Sequence, residues 1–325
     1  MKLTVIMSVY NAQETVARSI ESILNQDYKE FEFLIADDGS TDRSMEIIDS
    51  FEDKRIITQH NNKNLGLLRT WNKLLDLANG QYIIFQDADD TSLGGRLFKL
   101  VSFMERNPEV AVCGSNFRRV FRKYNKTIVS NYPNSKREIM ASLDEGRVPF
   151  IRGIFKTSIV REMGKFRSFF DRIGWEDYDL FLRIAEKYEV ANISDVLYEY
   201  AYYDSSSSKL DLNNLSAKKV FVHDIGLLLH AQRVDNDGID GLSNPKLMLE
   251  VDRFVEQKER FLKRNPTYVY RKKIKNQLSN MDYGNAFDLC AKAIQLQPLV
   301  IENYVLLLKC LAHSVKNYTQ AKLKR

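Results

Sequence analysis

Residues 82–97, YIIFQDADDTSLGGRL, run from an apolar strand pattern directly into a cluster of carboxylates. Asp87, Asp89 and Asp90 follow the apolar run YIIF and have no cation close to them in sequence. Like charges at this spacing repel one another, and the repulsion raises the pKa of at least one carboxyl group. The role of this cluster therefore depends on what else reaches the same edge of the fold.

The chain before this stretch alternates between strand and helix patterns. Strands are predicted from LTVIMSVY (3–10), EFEFLIADD (30–38) and RIITQH (55–60), and helices from NAQETVARSIESILNQ (11–26), STDRSMEIIDSFE (40–52) and LGLLRTWNKLLDLANG (65–80). Ser40 or Thr41 is expected to cap the second helix and Gly80 to end the third. This β-α-β-α-β-α-β order predicts an α/β fold with a mostly parallel, doubly wound sheet. Ligands bind beyond the carboxyl ends of the strands in such sheets, where the acidic cluster belongs.

Length and charge indicate two domains. A single core rarely grows beyond roughly 250–300 residues, and the chain has 325. Up to Ser208 it carries 28 basic and 31 acidic residues, and beyond that point 20 and 12. We expect an α/β domain over residues 1–210 and a helical domain over 211–325.

Cysteine usage and hydropathy predict a cytoplasmic protein. Cys113, Cys290 and Cys310 are too few for a disulfide framework or a zinc site, and apolar neighbours favour buried free thiols. The first residues start a strand pattern rather than a signal peptide, and no run approaches the ~20 apolar residues of a membrane helix.

The helical tail contains two short segments that are similar in sequence. DYGNAF at 282 recurs as NYTQAK at 317, and the segment from about 266 resembles a tetratricopeptide repeat. Because fewer than about three such units are rarely stable alone, they would pack on the preceding helices or on another subunit. Two unrelated amphipathic helix pairs remain the alternative.

The tail also contains a basic, aromatic stretch, RFLKRNPTYVYRKKIKN (260–276), for which two roles are predicted. It could contact anionic lipid headgroups at the inner face of a membrane, or it could be a solvated helix face. No recognised module supports nucleic-acid binding.

Two further acidic clusters are predicted at functional positions. Asp37 and Asp38 end the second strand, and Glu176 and Asp177 lie in GWEDYDLFLR. Hard divalent cations take oxygen ligands, and Mg²⁺ is commonly held by one or two carboxylates plus substrate phosphates. The clusters therefore favour a metal and diphosphate site over a set of helix caps and turns.

Taken together, the motifs VIMSVYN, ADDGSTD, N-x-G, DADD, RL and WEDYDL resemble an inverting, nucleotide-sugar-dependent glycosyltransferase of family two, with the GT-A fold. The resemblance covers roughly residues 2 to 205. It implies a UDP-sugar donor, a saccharide or lipid-linked acceptor, and Mn²⁺ or Mg²⁺ as cofactor.

The resemblance also implies roles for single residues. Asp38 would bind uracil, Asp89 the metal, and Asp87 the ribose hydroxyls or a metal-bound water. The other residues implied to line the nucleotide pocket are Val9, Tyr10, Asn11, Asn64, Gly66 and Arg69. For Arg69, a local pair with Asp76 or Asp87 remains the alternative.

Acid–base chemistry is implied at WEDYDL. Asp177 occupies the family's general-base position, Glu176 would bind the acceptor, and Trp175 offers a face on which a sugar ring could stack. These acidic residues could equally serve as the first turn of the following helix, where the helix dipole favours negative charge.

This sequence departs from the family at YEYAYYDSSSSK. Ala201 and Tyr203 stand where many relatives carry an Arg and a His, which puts the ligand count in doubt. The processive-synthase motif Q-x-x-R-W is absent from the sequence, which favours transfer of one sugar per encounter. A non-catalytic scaffold and a nucleotidyltransferase are the rival hypotheses.

Overall fold

The computed structural model describes residues 2–121, 126–144, 153–201, 215–279 and 282–323. The chain divides into two compact units, Met1–Asp204 and Ser205–Arg325. The boundary expected after residue 210 falls outside the described residues and stays a prediction.

Four parallel strands open the first unit. The elements are β1 (Leu3–Val9), α1 (Val16–Leu24), β2 (Phe31–Asp37), α2 (Ser44–Asp49), β3 (Ile56–His60), α3 (Leu67–Leu77) and β4 (Tyr82–Phe85). β1 pairs in parallel with β2 and β4, and β2 pairs in parallel with β3. The apolar runs of β1, β2 and β4 are buried, because helices cover a parallel sheet on both faces. The predicted alternation of strands and helices is confirmed.

The rest of the unit extends this sheet with antiparallel pairs. The elements are β5 (Thr91–Ser92), α4 (Arg96–Arg106), β6 (Val110–Phe121), β7 (Lys126–Val129), α5 (Lys136–Asp144), β8 (Ile154–Lys156), α6 (Thr157–Glu162), α7 (Glu176–Lys187) and β9 (Glu189–Ala201). The strand order is β3-β2-β1-β4-β8-β6-β9-β5, with β7 beside β6. β9 therefore lies between β6 and β5, so that β5 brings the chain after the acidic cluster beside β9.

Two helix boundaries differ from the prediction. α2 begins at Ser44 because Ser40 and Thr41 bind the loop after β1: the Asn11 backbone N–H donates to Ser40 Oγ, and the Thr41 N–H donates to Asn11 Oδ1. α3 ends at Leu77, so Gly80 is not its cap. Gly80 instead packs against β1, where an added Cβ would lie 2.5 Å from a backbone nitrogen.

The second unit is helical wherever it is described with regular structure. Its helices are α8 (Ala217–Val220), α9 (Val222–Asp235), α10 (Pro245–Arg264), α11 (Tyr268–Ser279), α12 (Tyr283–Leu296) and α13 (Ile301–Leu323). α11, α12 and α13 pack around a cluster that includes Ile274, Ala286 and Leu306. This helix packing is compatible with the predicted tetratricopeptide-like unit. Both that unit and self-association stay predictions.

The three cysteines are buried and free, as expected. Cys290 and Cys310 lie closer than their sequence separation suggested, with 3.7 Å between the two sulfur atoms. Burial raises the pKa of Cys290 to about 12, so the thiol stays protonated.

None of the helices in the described ranges combines the length and the apolar character that a membrane crossing requires.

Candidate active site

The acidic turn, residues 87–90, lies at the carboxyl end of β4 and is held from beneath by buried side chains. Gln86 Nε2 donates to the backbone oxygens of Asp87 and Asp90, at 3.2 and 3.1 Å. Gln86 Oε1 accepts from Ser92 Oγ and from the guanidinium of Arg96, both at 2.8 Å. Gln86 and Arg96 are fully buried, so the backbone of the turn is fixed while Asp87 and Asp89 stay half-buried at the surface.

β9 carries Tyr200 to this turn. Thr91, directly after the turn, pairs with Glu199, which places Tyr200 beside Asp90. Burial, together with the negative charges of Asp90, Asp87 and Asp89, raises the pKa of Tyr200 to about 12. The Tyr200 hydroxyl therefore lies near the acidic turn and remains protonated at neutral pH.

Arg119 lies on the neighbouring strand, opposite Tyr200 in the β6–β9 register. The Arg119 guanidinium carbon lies 5.2 Å from the centre of the Tyr200 ring and 5.8 Å from that of Phe117. Side chains alternate along a strand, so the preceding Arg118 points to the other face, where it pairs with Glu199 at 2.7 Å. Arg119 is thus directed toward the acidic turn, and Arg118 away from it.

Tyr132 connects Arg119 with Asp177. Burial raises the pKa of Tyr132 to about 12, with the nearby Arg119 charge lowering it and the Asp177 charge raising it. Both charged groups therefore lie near the Tyr132 hydroxyl. The structure brings Asp177 and the acidic turn to one region, linked by Tyr132, Arg119 and Tyr200.

A buried ion cluster fixes the start of α7, which carries Asp177. Asp179, with 1% of its surface exposed, accepts from Arg183 Nε and Arg167 Nε, each at 3.0 Å. Trp175 precedes the helix with a φ of 77°, a left-handed conformation that is uncommon for a bulky residue. Trp175 and Glu176 are half-buried next to Asp177 at the helix start, which confirms the acidic first turn, while the catalytic and acceptor-binding roles stay predictions.

Asp38 lies in a different setting from the one the sequence suggested. It is 1% exposed, and its carboxylate accepts four hydrogen bonds, each of 2.9 Å. The donors are Asn61 Nδ2, Thr70 Oγ1 and the backbone N–H groups of Leu65 and Gly66. Asp38 thus holds residues 61–66 in place. Its contact with uracil stays a prediction, for which Oδ2 could still accept one more hydrogen bond.

The β1 end contributes one exposed ring to this region. Val9 is fully buried in the core, whereas Tyr10 is 48% exposed. Asn11 has a φ of 49° and accepts from Thr41 N–H through its side chain. Of the three residues predicted to contact the base, Tyr10 and Asn11 are therefore exposed and Val9 is not.

The predicted segment 64–69 packs against Asp171, which the sequence did not single out. Gly66 has a φ of 94°, and an added Cβ would lie 2.9 Å from Asp171 Oδ1. Arg69 is mostly exposed, with its Nε 3.9 Å from Asp171 Oδ2. Asp76 pairs with Lys165 instead of Arg69. Asn64 Oδ1 accepts a long hydrogen bond, 3.4 Å, from Arg172.

Comparison with known proteins identifies the family of this chain. The family model described as "Glycosyl transferase family 2" matches residues 4–163. EpsE of Bacillus subtilis, which is named as a glycosyltransferase, is 35% identical over 205 residues, covering 61% of this chain and 72% of EpsE. The chain belongs to glycosyltransferase family 2.

Two further proteins are similar to this family-2 glycosyltransferase. An Escherichia coli enzyme, the UDP-Glc:alpha-D-GlcNAc-diphosphoundecaprenol beta-1,3-glucosyltransferase WfaP, is 29% identical over 237 residues, or 70% of this chain and 88% of WfaP. A crystal structure of S. aureus TarS in complex with UDP-GlcNAc matches with a TM-score of 0.61 at 18% identity, covering 98% of this chain and 89% of TarS. The expected GT-A fold, followed by a helical C-terminal region, is confirmed.

The acidic turn of the glycosyltransferase supplies only some of the ligands that a divalent cation requires. Among the described residues, no group of three or more His, Cys, Asp or Glu side chains converges as a metal cage. Asp87 and Asp89 supply the carboxylate oxygens that Mg²⁺ and Mn²⁺ prefer. The donor chemistry fits a site that is completed by the phosphates of a substrate.

Sequence reasoning did not single out Arg119, Tyr132, Tyr200 or Asp171. Arg119 and Tyr132 come from segments without a motif, and in YEYAYYDSSSSK the sequence drew attention to Ala201 and Tyr203 rather than to Tyr200. The strand register shows that Arg119 and Tyr200 are neighbours near the acidic turn. Ala201 ends β9, and Tyr203 lies outside the described residues, so the predicted departure from the family is not tested there.

Proposed function

We propose that this glycosyltransferase moves a single sugar from a UDP-sugar to a saccharide or lipid-linked acceptor, with inversion at the anomeric carbon. The observation that carries the proposal is the convergence of Asp177 and the acidic turn on one half-buried region. WfaP, whose name specifies UDP-glucose and a diphosphoundecaprenol-linked acceptor, supports this substrate class.

The transfer requires two chemical tasks. As the acceptor oxygen attacks the anomeric carbon, the acceptor hydroxyl must lose its proton, and the bond from that carbon to the diphosphate oxygen must break. In the proposal, Asp177 takes the proton, and the bonding electron pair remains on the leaving UDP. Because the acceptor attacks from the side opposite the leaving group, the configuration inverts.

The remaining site residues bind and orient the substrates. Asp89, with Asp87, would hold Mn²⁺ or Mg²⁺, which supplies positive charge to the diphosphate. Tyr10 lies where a base could stack, and Asp38 holds the 61–66 segment that borders the nucleotide pocket. Trp175 and Glu176 would contact the acceptor next to Asp177.

A UDP-release assay with a panel of UDP-sugars and Mn²⁺ tests this function. Asp177→Asn is expected to lower turnover about 10²- to 10⁴-fold, because the amide cannot accept the proton, while UDP affinity stays within about twofold. Asp195→Asn serves as a surface control, since Asp195 pairs with Lys99 and should leave turnover unchanged. NMR of the product linkage would report inversion. Absence of UDP release from the whole panel, or equal turnover in D177N and the wild type, would refute the proposal.

We also propose that the enzyme works in the cytoplasm and meets its acceptor at a membrane surface through the basic stretch 260–276. Within this stretch, Arg271 pairs with Glu302 and Lys272 donates to a backbone oxygen of its own unit, whereas Lys263, Arg264 and Lys275 are exposed. Co-sedimentation with vesicles containing anionic lipid should fall when these three cations are replaced by Gln. Equal sedimentation of both proteins would exclude this contact.

A further inference from the structure

Three side chains between Asp177 and the acidic turn carry hydrogen-bond donors that the protein itself does not use. Nothing in the described ranges forms a hydrogen bond or an ion pair with the Arg119 guanidinium, and its Nε is buried. The hydroxyls of Tyr132 and Tyr200 likewise have no hydrogen-bond partner among the residues that the structure describes. The buried Nε–H of Arg119 has no acceptor among these residues, which is unfavourable unless a ligand supplies one.

The position of these donors indicates an anionic ligand. Arg119 and Tyr200 share one face of the β6–β9 pair, and Tyr200 borders Asp90 of the acidic turn. Among the described residues Arg119 forms no ion pair with these carboxylates, so its N–H groups remain available to an acceptor from a ligand. Phosphate oxygens suit such a site, because a planar guanidinium binds them through two parallel hydrogen bonds.

We infer that Arg119, with the Tyr132 and Tyr200 hydroxyls, forms a subsite for the β-phosphate of the nucleotide donor. The inference rests on the proposed function, which brings a diphosphate to the acidic turn. When the bond between the sugar and the diphosphate breaks, its electron pair adds one negative charge to the β-phosphate. Arg119 balances part of this charge from the side of the sheet that faces Asp177.

The two tyrosines add neutral donors to the subsite. A tyrosine hydroxyl has an ordinary pKa of about 10, so both groups are neutral donors at neutral pH. Neutral O–H groups hydrogen-bond to phosphate without repelling the carboxylates at 87–90. The subsite thus combines one positive charge with two uncharged donors.

Nucleotide binding measured by calorimetry on the full chain, with Mn²⁺ present, tests the inference. Arg119→Gln retains much of the side-chain volume against Tyr200 but removes the charge, and it should weaken UDP binding about 10- to 100-fold. Uridine, which has no phosphate, should bind R119Q and the wild type within about twofold. Arg119→Lys keeps the positive charge but not the planar guanidinium, so its affinity for UDP should lie between those of R119Q and the wild type.

Arg118→Gln is the matched control, because Arg118 adjoins Arg119 but pairs with Glu199 on the opposite face. It should bind UDP as the wild type does. Unchanged UDP affinity in R119Q, or an equal loss for UDP and uridine, would overturn the subsite. Unchanged UDP affinity combined with a raised KM for a diphosphate-linked acceptor would assign Arg119 to the acceptor phosphate and also overturn it. If R119Q does not fold, R119K is compared with R118K by the ratio of UDP affinity to uridine affinity.

The failure of the subsite and the failure of the proposed function are distinguishable. If the wild-type protein binds no UDP at millimolar concentration, the proposed donor is wrong. If the wild type binds UDP and R119Q matches it, the donor stands and only the subsite is wrong.

Discussion

Replacement of Asp38 by Asn distinguishes an anchoring role from a base-binding role. The carboxylate accepts four hydrogen bonds within the protein, three of them at Oδ1 and the one from the Gly66 N–H at Oδ2. Asn keeps a single oxygen, so the best orientation retains the three bonds at Oδ1 and points an N–H₂ group at the Gly66 N–H.

The expected loss follows from these bonds. The lost charge-assisted bond contributes about 1.5–3 kcal/mol, and the three retained bonds each weaken by about 1 kcal/mol when the acceptor becomes neutral. The lower cost of burying an amide instead of a carboxylate offsets a few kcal/mol of that sum. We therefore expect the free energy of unfolding to fall by about 3 kcal/mol, a large share of the roughly 5–15 kcal/mol that stabilises a domain.

Urea unfolding followed by tryptophan fluorescence measures this change. Both tryptophans, Trp71 and Trp175, belong to the first unit, so the signal reports on that unit alone. Thr70→Val removes one donor to Asp38 and should lower the unfolding free energy by about 1 kcal/mol. The D38N/T70V double variant should lose less than the sum of the two, because the variants share one hydrogen bond. A D38N protein with wild-type stability but weakened UDP binding would refute the anchoring role.

Further predictions concern stability, measured by the same fluorescence. Asp179→Ala leaves two guanidiniums without their buried carboxylate and should lower the unfolding free energy by about 3–5 kcal/mol. Gly80→Ala places a Cβ 2.5 Å from β1 and should cost about 1–3 kcal/mol, whereas Gly94→Ala, with open space around it, should be near neutral. The Arg55 side chain lowers the pKa of Asp53 from 3.8 to about 2, so Asp53 stabilises the fold above pH 4 and loses this effect as the pH falls toward 2. The stability difference between the wild type and D53N, about 1 kcal/mol at neutral pH for this partly exposed pair, should therefore vanish near pH 2.

Local sequence pattern predicts the first half of the fold well. Buried parallel strands are continuous apolar runs, and β1, β2 and β4 show this pattern clearly. The acidic turn was also predictable, because a strand followed directly by carboxylates is unusual. Cap positions were not, since Ser40 and Thr41 bind Asn11 across the sheet edge, a contact that no local pattern encodes.

The missing part of the candidate site depends on strand register. Arg119 and Tyr200 are 81 positions apart, and they meet because β9 inserts between β6 and β5. Arg119 belongs to no motif, and the stretch YEYAYYDSSSSK contains both Tyr200 and Glu199, so sequence inspection gives Arg119 and Tyr200 no priority over Arg118 or Glu199, their neighbours on the opposite face. Long-range pairing decides which of two adjacent arginines faces the site.

The buried support under the acidic turn bears on ion preference. Because Gln86 and Arg96 fix the backbone of residues 87–90, the half-buried carboxylates of Asp87 and Asp89 can adapt their spacing to an ion only by side-chain rotation. A rigid oxygen pair favours small cations with strict octahedral demands over Ca²⁺, whose longer bonds and higher coordination number require ligands that can move apart.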